Sequence, residues 1–395
     1  MSTPKIHCGY LPLVDSAPLI IAKELDFAAH EGLDLTLMRQ PSWSALRDRL
    51  AFGQVQVAHM LSPMPIAAAL GLSGAMTKID ALMVMSVNGT VIGVSSDLAQ
   101  KMRRAGWDAS FTAPQAASQA LFASSDVTRI GVPFPFSMHR MLLEYWLSTA
   151  PGFDPKRIEI LTVPPPDMAE AVRTGRLDMF CVGEPWGSVA VHHSDATLIL
   201  PGAHIWGCAP EKVLGARHDW VSANPDTCNA MIRAVYKACM WLEQPGNTSL
   251  AVEILARSQH LDLPEEAIDP ALTHHITAQA GTAPIFVEGF LRFHDRSATF
   301  PWRSQACWIA DRLTEWHDLD VETTREVARA RYRSDLYRAA LAPTGVDMPG
   351  ASEKLEGALA IPTAVASSKG EMILGPDRFF DDRVFDLSPS ALRKK

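Results

Sequence analysis

The sequence has no apolar run long enough to cross a bilayer. Its longest, residues 81–87 and 60–72 (the latter broken by two prolines), fall far short of the ~20 residues a spanning helix needs. Cysteine is sparse and scattered. Cys8, Cys181, Cys208, Cys228, Cys239 and Cys307 form no CxxC pair and no zinc-like spacing, which excludes a ribbon-type metal site and fits reduced, buried thiols. Positive charge is in deficit: 36 Lys+Arg against 44 Asp+Glu give a formal charge of −8. That balance argues against a broad nucleic-acid surface, yet leaves room for one small anion in a local pocket. Neither GxSxG nor a P-loop occurs, and no repeat or low-complexity tract stands out. No apolar h-region with a cleavage site precedes Ile6-His-Cys-Gly-Tyr10, so the expectation is a chain without a secretory signal, working in the cytoplasm.

What is present reads as an ordinary globular chain, 47% hydrophobic and 20% charged. Its 395 residues suffice for two to three domains at about 150 residues each, or for one fold of two lobes. The first two hundred residues alternate strand-like and helix-like segments. Ser16 and Ser42 stand where helix caps belong, Gly32 and Gly53 where helices stop, and residues 81–87 read as a buried strand. After Asn88-Gly-Thr90 the rhythm restarts through a second α/β unit of similar size, and each unit is expected to carry a mainly parallel sheet. From Asp219 the chain reads as helical, including a helix over 264–280. Residues 342–395, rich in Pro, Gly and Ser, are expected to wrap over the surface.

Several strings keep a distinctive order. Gly9-Tyr-Leu-Pro-Leu-Val-Asp-Ser-Ala-Pro18 leads to Glu31-Gly-Leu-Asp-Leu35, Ser42-Trp-Ser-Ala-Leu46 and Ala58-His-Met-Leu-Ser-Pro63. Val182-Gly-Glu-Pro-Trp186, Glu211-Lys-Val-Leu-Gly215, Leu374-Gly-Pro-Asp-Arg-Phe-Phe380 and Val384-Phe-Asp386 follow. Together they resemble the nitrate- and bicarbonate-binding proteins of the nitrate/sulfonate/taurine group of ABC importers, over nearly the whole chain. The resemblance implies an α/β type II periplasmic-binding-protein fold: two lobes, a hinge and a helical C-terminal part. Residues 1–90 with 207–341 would form one lobe with its C-terminal helices, 91–206 the other, and 342–395 a wrapping segment. The two chain crossings would lie near 87–94 and 205–208. Without a secretory signal, the nearest type would be the cytoplasmic NasS-type nitrate/nitrite sensor, which by that resemblance holds a NasT-type ANTAR antitermination protein inactive until ligand binds. The alternative is the exported binding protein of a nitrate or bicarbonate importer. An enzyme is not expected, nor a cofactor, direct nucleic-acid contact or membrane contact.

Nitrate is planar, carries one negative charge, accepts hydrogen bonds at three oxygens and donates none. Its pocket needs several donors, about one positive charge and few facing carboxylates. Lys212, where the family places a cleft residue, is the first candidate, against the reading of a solvated surface lysine. In the bicarbonate-binding relatives an acidic residue with a metal ion is expected there, so Lys212 favours nitrate or nitrite and no metal. His139 at a helix start and the Trp43 indole are the next donors, against packing roles for both. Asn88, Gly89 and Thr90 lie at the first crossing and offer amide, backbone and hydroxyl hydrogens, against a plain hinge turn. Pro165 is expected in the cleft wall, Glu184 and Trp186 at the hinge or lobe closure, and His59 and Met60 among satisfied core residues. His192-His193 and His274-His275 are adjacent pairs pointing to different faces, which does not suit a metal.

Overall fold

The computed structural model describes residues 3–74 and 77–387. Strands β1 (Lys5–Tyr10), β2 (Asp34–Arg39), β3 (Val57–Leu61) and β4 (Ile79–Asn88) open the first lobe. β5 (Thr90–Val94), β6 (Thr128–Val132), β7 (Ile158–Thr162), β8 (Met179–Gly183) and β9 (Thr197–Pro201) build the second, and β10 (Pro210–Arg217) returns to the first. The first sheet runs β4-β10-β3-β1-β2, with the short strand Leu291–Arg292 beyond β4; the second runs β7-β6-β8-β5-β9. All ten residues of β4 are buried, as its nearly unbroken apolar sequence dictates for a strand covered on both faces.

The sheets are mixed, which corrects the mainly parallel expectation. β1 pairs in parallel with β2 and β3, and β6 with β7 and β8, but β10 is antiparallel to β3 and β4, and β5 to β8 and β9. The cause is the double crossing. βα units run their strands towards the space between the lobes, whereas a strand that enters a lobe from that space runs away from it. One residue, Gly89, separates β4 from β5, and residues 202–209 separate β9 from β10.

The helix expected over 264–280 spans only Glu265–Thr273, because His274 takes the left-handed conformation and turns the chain into a short strand. The segment after residue 342 holds a hairpin, Thr363–Ser367 with Gly370–Leu374, that its composition did not announce. Its later part straps the second crossing. The Phe380 amide donates to the Ile205 carbonyl, the Gly207 amide to Arg378, and Phe379 stacks on Trp206 at 4.7 Å. The same strap reaches the second lobe, where the Tyr145 hydroxyl donates to Asp381 at 2.8 Å. Residues 388–395 of the expected wrapping segment lie outside the described residues. All six cysteines are free, five of them buried and Cys208 half-buried.

Candidate functional site

The strand ends that face the other lobe carry the polar residues of an otherwise apolar interior. β10 begins Pro-Glu-Lys, and its place between β3 and β4 buries Glu211 and Lys212 completely. The Ser62 hydroxyl donates to the Pro210 carbonyl, the Ser62 amide to that of Glu211, and the Tyr332 hydroxyl to that of Ser62, which fixes this corner. Lys212 pairs with Leu61, and His59 lies two residues back on the same face of β3. Asp15 sits in the single 3-10 turn Val14–Ser16, ahead of helix α1 (Ala17–Glu24). Ser42 caps helix α2 (Trp43–Ala51) by accepting from the Ala45 amide, so the Trp43 ring enters the same space. From the second lobe, Ser137 caps α3 (Met138–Ser148) and presents His139, while Gly183 ends β8.

These residues meet in one enclosed cluster. Lys212 Nζ donates to Asp15 Oδ2 at 2.6 Å and to Glu211 Oε1 at 2.8 Å, with the Trp43 ring 5.6 Å away. His59 Nε2 lies 3.0 Å from Asp15 Oδ1, and His139 Nδ1 lies 3.3 Å from Glu211 Oε1. Gly183 closes the far wall at close range: a methyl on its α-carbon would stand 3.0 Å from Leu13 Cδ2 and 3.6 Å from both Asp15 Oδ2 and His139 Nε2. Several polar atoms have no hydrogen-bond partner although they are buried: Trp43 Nε1, Asp15 Oδ1, Glu211 Oε2 and both ring nitrogens of His59 and of His139, whose contacts with the carboxylates are close but not aligned. Buried polar atoms are nearly always paired, so such a concentration marks a place prepared for something else.

Electrostatics sorts the groups. Burial alone would discharge Lys212, but Asp15 and Glu211 outweigh it and hold its ammonium above the usual range. Burial opposes the charge of Asp15 too, and Lys212 and His59 overcome it, bringing the carboxyl down to about 2. Glu211 goes the other way: burial pushes it up to about 7 against the pull of Lys212, and Asp15 adds to the rise. Burial keeps His59 below its ordinary range despite Asp15, and burial with Lys212 keeps His139 well below. At neutral pH the cluster therefore holds one firm ion pair, two neutral imidazoles and a carboxyl poised between its two states.

Lys212, His139 and Trp43 thus come together. Two other candidates do not join them. Asn88 uses both amide hydrogens on the Gly207 and Gly289 carbonyls (3.1 and 3.0 Å) and accepts from the Ala209 amide at 3.2 Å. Gly89 donates its amide to the Phe290 carbonyl at 2.6 Å. Both residues have positive φ, 62° and 88°, and the sharp turn they make is the hinge itself, so neither has a hydrogen left for a ligand. The Thr90 hydroxyl is buried without a partner and packs against Gly202. Pro165 is buried in the 3-10 turn Pro165–Asp167 and has no N–H to offer.

Glu184 and Trp186 join the lobes. The Val14 amide donates to the Glu184 carbonyl at 2.9 Å, and Trp186 Nε1 donates to the Pro12 carbonyl at 3.0 Å. Burial pushes the Glu184 carboxyl up to about 7, against the Ser188 amide that donates to it. His59 is no satisfied core residue, since it touches Asp15 and leaves Nδ1 unpartnered. Asp15 and Glu211 were missed altogether. The available signal was a Glu-Lys pair opening the apolar run Val213–Ala216, because charges at the head of a central strand need partners. Among the described residues no group of three or more His, Cys, Asp or Glu is arranged to hold a metal ion, and no helix is long and apolar enough to cross a membrane.

Residues 1–256 match the NMT1-like family. The chain belongs to that family. This NMT1-like chain is also 32% identical over 365 residues to the nitrate/nitrite binding protein NrtA of Synechococcus elongatus, covering 88% of this chain and 80% of that one. It is 32% identical over 337 residues to the nitrate import ATP-binding protein NrtC of Synechocystis, which takes in 84% of this chain; the chain spans about half (49%) of that relative's length. The crystal structure of the periplasmic nitrate-binding protein NrtA from Synechocystis superposes with a TM-score of 0.84 at 26% identity, covering 97% of this chain and 96% of that one. The architecture is therefore the periplasmic-binding-protein fold, and this NMT1-like chain is a homologue within the nitrate/bicarbonate-binding ABC-importer group.

Proposed function

We propose that the chain is a solute-binding protein for nitrate or nitrite, holding the anion between its lobes at the Lys212 cluster. The observation that carries this is the set of donors left over where the lobes meet. Lys212 has three N–H groups and uses two on Asp15 and Glu211, so one remains. Trp43 Nε1 and the free edge of His139 have no protein partner. An acceptor-only anion fits that list, and charge-assisted hydrogen bonds of about 1.5–3 kcal/mol each support a micromolar Kd, roughly −8 kcal/mol, after ordering costs. The pocket differs from the sequence expectation in one respect. Two carboxylates face the lysine, and Asp15 already offsets its ammonium, so a bound anion adds one net negative charge to a nearly neutral cluster.

The likeness to NrtA and NrtC supports delivery to an ABC importer as the role of this binding. The cytoplasmic sensor reading, with release of an ANTAR-type RNA-binding partner on ligand binding, is a second proposal that rests on the sequence resemblance alone. Partner affinity that is equal with and without saturating nitrate would remove it. Calorimetry with nitrate, nitrite, bicarbonate and an alkylsulfonate tests the ligand. Nitrate or nitrite is expected to bind at micromolar concentration and Lys212→Glu to abolish it; micromolar nitrate affinity in Lys212→Glu would mean that the site lies elsewhere.

A further inference from the structure

Glu211 is oddly placed for a residue next to an anion. Its Oε1 accepts from Lys212 Nζ at 2.8 Å and lies 3.3 Å from His139 Nδ1, which has no hydrogen-bond partner, while its Oε2 is buried with none either. The rest of its titratable surroundings come from four elements: Asp15 from the turn after β1, with His59 of β3 behind it; Cys181 from β8; and Tyr332 from the helical region, whose hydroxyl is tied to the Ser62 carbonyl. Among these described neighbours Lys212 is the cation and Asp15 is ionised. An anion entering beside an ionised Glu211 would make three negative charges around one ammonium in an enclosed space, an arrangement that low polarity penalises heavily.

The histidine poses a matching problem. A neutral imidazole has one N–H and one lone pair. If Nδ1–H donates to an ionised Glu211, the free Nε2 beside Gly183 presents a lone pair and repels an acceptor-only ligand. If Glu211 carries the proton and its O–H donates to Nδ1, the ring hydrogen sits on Nε2, on the Gly183 side.

We propose that Glu211 takes up one proton together with the anion: its Oε1–H donates to His139 Nδ1, and this fixes the ring hydrogen on the unpartnered Nε2, where it donates to the ligand. The proton comes from solvent and ends on the carboxyl; no other bond is made or broken. Glu211 is thus a positioning residue. It acts on the anion through His139 and makes a second negative charge disappear as the ligand arrives. Burial pushes Glu211 up to about 7, so the required proton is at hand near neutrality and scarce at higher pH. This inference rests on the anion reading of the cluster, and its test separates the two.

The experiment is nitrate calorimetry at about pH 8 in sulfonate-free buffers of different ionisation enthalpy, Tris and triethanolamine, with a Kd profile from about pH 6 to 9. The wild-type chain is expected to take up about one proton per nitrate at the alkaline end, with affinity falling about tenfold per pH unit there. In Glu211→Gln the amide N–H can donate to Nδ1 permanently. That variant is expected to take up almost no proton, to show a flat profile and to bind more tightly than wild type at pH 8. Nitrogen-15 spectra of nitrate-bound wild type are expected to show His139 as the Nε2–H tautomer, a readout that survives if the variant fails to fold. Nitrate binding without proton uptake, equal uptake in Glu211→Gln, or the Nδ1–H tautomer would each overturn the proposal while leaving the anion site standing. No nitrate binding by wild type at any pH would overturn both.

Discussion

Lys212 and Lys354 have nearly the same surroundings. Each ammonium lies between one aspartate and one glutamate, Asp15 and Glu211 for the first and Asp377 and Glu356 for the second. A tryptophan ring stands 5.6 Å from Lys212 Nζ and 5.7 Å from Lys354 Nζ. The difference is in what is left over. Around Lys354 every carboxylate oxygen has a donor: Ser304 Oγ serves Glu356 at 2.6 Å, the Leu359 amide serves Asp377 at 2.8 Å, and the lysine serves both. Around Lys212, Glu211 Oε2, Trp43 Nε1 and His139 Nε2 are unanswered. The Lys354 triad lies within the C-terminal segment, joins it to Ser304 through Glu356, and is finished. Composition alone does not distinguish a fastening from a binding site; the unpaired atoms do.

Removing each lysine probes that contrast most strongly. Lys354→Met leaves Glu356 and Asp377 buried without their cation, and is expected to cost about 3–5 kcal/mol of stability in denaturant unfolding. Nitrate affinity of the folded protein should stay within about twofold. Lys212→Met is expected to cost less stability, because Glu211 is already poised to accept a proton, and to lose nitrate binding instead. The reverse pattern would erase the distinction between the triads.

A smaller effect is read from pH. Glu211 and Glu184 titrate near 7 in the folded chain and near 4.5 when unfolded, so the folded state holds more protons between those values. Stability should therefore fall as pH rises from about 4.5 to 7 and level off above, by about 3 kcal/mol for each of the two groups. The double variant Glu184→Gln/Glu211→Gln should flatten that slope in melting curves. Asp15, lowered to about 2 from 3.8, has the opposite sign: its contribution is complete above 3.8 and is lost only as pH falls through about 2.

Much of this was legible in the sequence, and the failures have physical causes. Apolar density placed β4, the cap residue Ser42 placed the helix that carries Trp43, and the helical start before His139 was read as well. The order of the strings implied the fold that the likeness to NrtA shows. Sheet direction was misread because the crossings reverse one strand in each sheet, and local patterning does not encode that. Asn88 and Gly89 were read as donors because amide chemistry is visible in a sequence while its consumption by Gly207, Gly289 and Phe290 is not. Asp15 escaped notice because its partner lies 197 residues away, and Glu211 because its role depends on His139 of the other lobe.

The most direct measurement follows the tryptophan indole N–H signals by two-dimensional nitrogen-15 NMR during a nitrate titration, with Trp43→Phe and Trp302→Phe supplying the assignments. The Trp43 signal is expected to move and saturate as the site fills, because its unpartnered N–H gains the anion, while the Trp302 signal beside Lys354 stays in place. Nitrate binding that leaves the Trp43 signal unmoved would contradict the claim that the unpaired atoms around Lys212 are the ligand site.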